Sequence, residues 1–129
     1  MRSFRSVWSA LVLALVLAGS AHAGTLATPL MFSGTEVTQL FCDAVNVAVS
    51  PIASVTVKLV ATRFSETQGS EVTCNNLAPG DDCVTGVVAA PFFAGHCKII
   101  FTGSSKGVRG SMVATNGADN DIRAQVGAE

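Results

Sequence analysis

Short apolar runs recur about every ten residues along this chain, each alternating with polar positions and each closed by Gly, Pro, Asn, Asp or Ser. In SVTVKLV, Val55, Val57 and Leu59 fall on one face, while Thr56 and Lys58 fall on the other. In HCKIIF, Cys97, Ile99 and Phe101 share a face opposite His96 and Lys98, and in LFCDAVNV Cys42 shares one with Leu40 and Ala44. A period of two is that of half-buried strands, because successive side chains point to opposite sides of a sheet. No stretch keeps a helical period for three turns. The pattern therefore predicts antiparallel strands over 36–48, 54–61, 71–75, 83–89, 96–102 and 108–115, with a weaker first strand within 25–32.

About seven short strands at this spacing predict an all-β, two-sheet sandwich. Residues 102–107 read as a hairpin between the last two strands, and Asn116-Gly117 closes the strand after it. The tail, 118–129, is polar and reads as either a short final strand or a frayed end.

The first residues follow a different rule. Arg2 and Arg5 precede an uncharged apolar run from position 10 to 18, and Ala21-His22-Ala23 follows as a small-x-small cleavage signal. The run is too short to span a bilayer, so 1–23 is expected to be a secretory signal peptide and 24–129 a single domain with no membrane insertion after cleavage. The whole chain has eight Lys or Arg against nine Asp or Glu; without Arg2 and Arg5 the balance is six against nine. Such a balance gives no basic surface to follow a phosphate backbone, so nucleic acid is not an expected partner. Trp8, the one Trp, lies in the leader and there is no Tyr. Ring stacking on a ligand or partner would fall to Phe.

Export changes the meaning of the cysteines. EVTCNNLAPGDDC, 71–83, could be a metal loop, a redox loop or a staple. Four cysteines in an oxidising compartment imply two disulfides, and no closely spaced C-x-x-C pair suits zinc. Counting alone leaves three pairings open.

Cys42 with Asn46, Val55 with Val57, and Leu77, Pro79 and Gly80 as an L-x-P-G turn together resemble the immunoglobulin-like sandwiches of small, uncharacterised exported bacterial proteins. The resemblance spans roughly residues 36–115 and implies a fold and no reaction. It implies an inter-sheet bridge from Cys42 to Cys97, which leaves Cys74 to meet Cys83 across a hairpin end. It departs from antibody domains: no Trp stands on the third strand, and Gly95 takes the position where they carry a Tyr.

Few residues carry chemistry. His96 stands beside Cys97, but neighbours on a strand point apart, so the two do not form a nucleophile pair. Asp81 and Asp82, or Asn116, Asp119 and Asp121, offer oxygens to calcium without its loop spacing, and acids in turns are ordinarily solvated. No metal, cofactor or catalytic residue is expected. Arg109 faces away from Val108 and Met112. The most unusual stretch is VVAAPFFAGHC, 87–97, where adjacent Phe92 and Phe93 cannot both face the core of a regular strand. They are the candidate partner contact, and Ala-Ala-Pro-Phe resembles sequences that chymotrypsin-like and subtilisin-like proteases accept. The expectation is a periplasmic or extracellular, non-enzymatic protein with a structural or binding role in the bacterial envelope. The alternative is a protease inhibitor or partner-docking protein working through Phe92 and Phe93. The sequence leaves the protein partner and the oligomeric state unspecified.

Overall fold

The computed structural model describes residues 22–32, 35, 39–88, 93–117 and 122–129. Among the described residues nine strands form in chain order: β1 Ala23–Ala27, β2 Met31–Phe32, β3 Gln39–Asn46, β4 Ile52–Arg63, β5 Glu66–Leu77, β6 Asp82–Val88, β7 Ala94–Thr102, β8 Val108–Thr115 and β9 Ile122–Gly127. One sheet runs β1-β7-β4-β5, with β2 also on β7; the other runs β6-β3-β8-β9. All the pairings are antiparallel. The molecule is an immunoglobulin-like β-sandwich, with the pairs β3–β6 and β4–β7 in opposite sheets and the inner strands β3 and β7 joined through Cys42–Cys97. The flanks are exchanged relative to an antibody domain. The first strand lies beside β7, and β8, which follows β7 in the chain, lies beside β3.

The core is what the alternation predicts. Val55, Val57, Leu59 and Ala61 of β4, Cys97, Ile99 and Phe101 of β7, Leu40, Cys42 and Ala44 of β3, and Val108, Met112 and Ala114 of β8 are all buried. Burying such side chains contributes about 1.5–3 kcal/mol each for the larger ones, and it fixes register, since a slip of one residue would turn every one of them outward.

The first strand is broken where Pro29 stands. Ala27 pairs with Lys98 and Met31 with Gly95, so one extra residue is accommodated. A proline supplies no N–H to a ladder. Thr28 repairs the gap: its N–H donates to the Cys97 carbonyl at 3.0 Å, and its Oγ1 accepts from the Cys97 N–H at 2.9 Å. The tail read as strand or frayed end carries β9. Beyond it, Ala27 and Glu129 exchange two backbone bonds of 3.0 Å, tying the edge of one sheet to the end of the other.

Two connections differ from their expected form. Residues 102–107 do not make a hairpin, because β7 and β8 lie in different sheets; a 3-10 turn, Ser105–Gly107, carries the chain across. Likewise β5 and β6 are not hairpin partners. Each is the edge of a different sheet, so Cys74–Cys83 bridges the sheets rather than stapling a hairpin. Alternation reports which way a side chain points and carries no information about the strand it will pair with.

Candidate functional site

Both disulfides form with the expected pairing, Cys42 with Cys97 at a Cα separation of 5.7 Å and Cys74 with Cys83 at 6.0 Å. Cys42, Cys83 and Cys97 are buried, and none of the four is free. Two disulfides of this kind point to an exported protein in an oxidising compartment. Among the described residues, no helix is long and apolar enough to cross a membrane.

His96 lies half-buried on the outer face of β7 across from Val60, while Cys97 points inward into its bridge. On the same outer face Lys58 stands directly opposite Lys98, and Glu71 on the other side takes Lys58 at 3.3 Å. Arg109 points to solvent and donates to the Val108 carbonyl at 3.2 Å. Asp81, in the turn, and Asp82, at the start of β6, are both exposed. Asn116 and Gly117 end β8, and Asp119 and Asp121 lie outside the described residues. Among the described residues, no three of His, Cys, Asp and Glu come together to hold a metal ion.

The Phe92-Phe93 stretch divides. Phe93 is 0% exposed, so its ring belongs to the core; Phe92 lies outside the described residues. Arg63 lies over the Phe93 ring at 5.6 Å and also over Phe64 at 6.0 Å. Phe64 is a feature that the sequence reading missed. It begins the two-residue turn between β4 and β5, is 98% exposed, and has φ of 53°. A bulky side chain rarely adopts that left-handed conformation, which normally falls to Gly or Asn in a tight hairpin. RFSE has no Gly, Pro, Asn or Asp to announce it.

At the opposite end of β4 the loops are organised around Asn46. Its side chain is 0% exposed and fully used: the amide donates to the Ser50 carbonyl at 3.0 Å and the Leu77 carbonyl at 2.8 Å, and Oδ1 accepts from the Ala48 N–H at 2.9 Å. Its backbone accepts from the Gly80 N–H at 2.8 Å and donates to the Asp81 carbonyl at 3.0 Å. Gly80 has φ of 84°, so Pro79-Gly80 makes the turn that only glycine enters without strain. One asparagine thus holds the turn after β3 and the turn before β6 in fixed positions. The motif that paired Cys42 with Asn46 marked the residue without revealing this role.

Beside that network a cleft of about 590 Å³ opens between residues 48–53 on one side and Thr102–Ser104, Lys106 and Gly107 on the other. Its first wall is apolar except at Ser50 and continues onto the surface, where Val47 is half exposed and Val49 is 100% exposed. The far side is held by the Ser54 N–H, which donates to Thr102 Oγ1 at 3.2 Å, and by Gly103, at φ 106°, where the chain turns towards β8.

On the outer face of the second sheet, Asp43 has one carboxylate oxygen buried without a hydrogen bond. Burial first, and the charge of Asp82 second, push its pKa above the usual carboxylate value. The chain matches no family model, no curated protein and no solved structure.

Proposed function

We propose that this chain is a non-enzymatic β-sandwich exported to the periplasm or the cell exterior, with a structural or binding role in the bacterial envelope. The observation that carries the reading is the pair of inter-sheet disulfides, three of whose sulfur-bearing residues are buried. Bridges of this kind persist where thiols are kept oxidised, and they brace a small domain for life outside the cytoplasm. A leader of the kind written in residues 1–23 would deliver it there.

Expression of the full chain in a bacterial host, followed by fractionation and intact-mass measurement, tests the reading. The expected species lacks residues 1–23, carries two disulfides and partitions with the envelope or the medium. A reduced, full-length, cytoplasmic protein would refute it. So would turnover of a hydrolase or thiol-oxidoreductase substrate by the purified, metal-free protein.

A partner-docking role is the second reading, and it has one favouring observation. The Phe64 ring stands almost wholly in solvent on the tip of the β4–β5 hairpin, next to the Arg63 that also covers Phe93. Aromatic rings with an adjacent arginine are common anchors of protein interfaces. With Phe93 in the core, docking would fall to Phe64 or to Phe92. An envelope pull-down with Phe64→Ser and Phe92→Ser variants separates the two: the variant that loses the partner while keeping its melting temperature identifies the anchor.

A further inference from the structure

We propose that the cleft beside the Asn46 network binds a small amphiphilic anion, a carboxylate on an unbranched alkyl chain of medium length. The carboxylate sits at Lys106 and the chain lies along the wall formed by residues 48–53. The inference deepens the binding reading above by naming a ligand class and a place.

Three features of the cleft point to this chemistry. The first is size. A volume of about 590 Å³ falls within the range of small-molecule sites, roughly 300–1,000 Å³. The second is the distribution of polarity. Ala48, Val49, Pro51, Ile52 and Ala53 give one wall an almost continuous apolar surface, and Val49 projects from it fully exposed. A ligand chain lying there would cover apolar area that the folded chain leaves in water. The third is charge. Among the described residues, Lys106 is the only charged side chain in the lining, no acid lines the cleft, and Lys106 takes part in no ion pair. A single cation at the margin of an apolar wall selects a ligand with one anionic end and one apolar end.

The wall is also set before any ligand arrives. Asn46 holds the turn through Ala48 and Ser50, the 3-10 turn holds Lys106 through the Ser104 hydroxyl at 3.3 Å, and Thr102 fixes the strand end between them. A preformed site loses little to ordering on binding. Because the cleft is open to solvent, the chain is covered on one side only. Each added methylene should therefore tighten binding about twofold, near the square root of the fully buried effect.

The test is an amide-resolved NMR titration of the oxidised protein with hexanoate, octanoate and decanoate, and with octanol and octylamine as chemical controls. Saturable shifts confined to residues 46–54 and 102–108, an affinity rising about fourfold per two methylenes, and the order octanoate, octanol, octylamine support the proposal. Lys106→Gln should weaken octanoate about two- to fivefold, the usual scale of an exposed ion pair, and leave octanol unchanged. Val49→Ser should weaken octanoate and octanol alike. Both positions are exposed, so neither variant is expected to unfold.

Shifts that fail to saturate, shifts centred elsewhere, no dependence on chain length, or octanoate binding unaltered in Lys106→Gln would each overturn it. Tighter binding of the tripeptide acid acetyl-Ala-Val-Ala than of octanoate would also overturn it, since the site would then read a peptide terminus. The titration uses purified protein alone, so its failure leaves the export and disulfide outcomes of the fractionation experiment standing.

Discussion

The side-chain amide of Asn46 donates to the Leu77 carbonyl at 2.8 Å, joining the end of β3 in one sheet to the end of β5 in the other. The same side chain serves Ser50 and Ala48, so removing it leaves the buried Leu77 carbonyl, the buried Asn46 site itself and two partly buried groups unmatched. Asn46→Ala is expected to destabilise the protein by about 3 kcal/mol or more, since each buried group left without a partner costs roughly 1–3 kcal/mol. Asn46→Asp should be worse at neutral pH, because it turns an acceptor towards two carbonyls. Urea unfolding of the oxidised variants measures both, and a loss under about 1 kcal/mol for the alanine variant would contradict the network's role.

The two bridges close loops of different length, with sequence separations of 55 and 9. On the chain-entropy account, the long one contributes about 4 kcal/mol and the short one about 2.7 kcal/mol. Replacing the Cys42–Cys97 pair by alanines should therefore lower the melting temperature more than replacing Cys74–Cys83. The long bridge is also wholly buried, so its loss adds a packing defect beyond the entropy. Calorimetry of the two double variants decides the order, and the reverse ranking would show that bracing the sheet edges matters more than bridging the centre.

Phe64 holds a backbone conformation that costs an L-residue roughly 1–2 kcal/mol, and its exposed ring recovers little of that by burial. Asn tolerates the same conformation. Phe64→Asn should raise stability by about 0.5–1 kcal/mol while leaving the core untouched. A drop in melting temperature would mean that the ring's contact with Arg63 outweighs the strain.

Asp43 titrates in the opposite sense to a salt-bridged acid. Its folded pKa lies above its unfolded value, so its contribution to stability is fully present below the unfolded value and is lost as pH rises through the folded one. Asp43→Asn should consequently melt higher than the parent at pH 7, with the difference closing towards pH 3. Asp82→Asn should reproduce part of the gain, since the Asp82 charge is the second cause of the shift. Melting curves at the two pH values test this, and a difference that widens in acid would reverse the assignment.

Much of this molecule could be read from the order of its residues. Strict alternation in β3, β4 and β7 fixed which side chains face the core, Cys42 and Cys97 among them. Pro79-Gly80 marked a real turn. What could not be read has a common cause. The polar stretch ETQGS in β5 showed no apolar face because β5 is an edge strand with much of its surface in water, and Phe64-Ser65 gave only the weak turn signal of Ser65 because its left-handed position is held by a residue that rarely bears it.

Sequence alone determined the all-β class, the inward faces and, through the cysteines and the leader, the expectation of an oxidising destination. Those properties are local: a period of two and a residue type are written within a few positions. Tertiary structure alone decided that β8 lies beside β3 and not β7, that Cys74–Cys83 joins two sheets, that Phe93 sinks while Phe64 stands out, and that three loops gather around Asn46 and a cleft. A strand's side chains declare the face they bury, but its hydrogen-bonding edges are the same backbone in every residue, so the choice of neighbour is made only when the whole core closes.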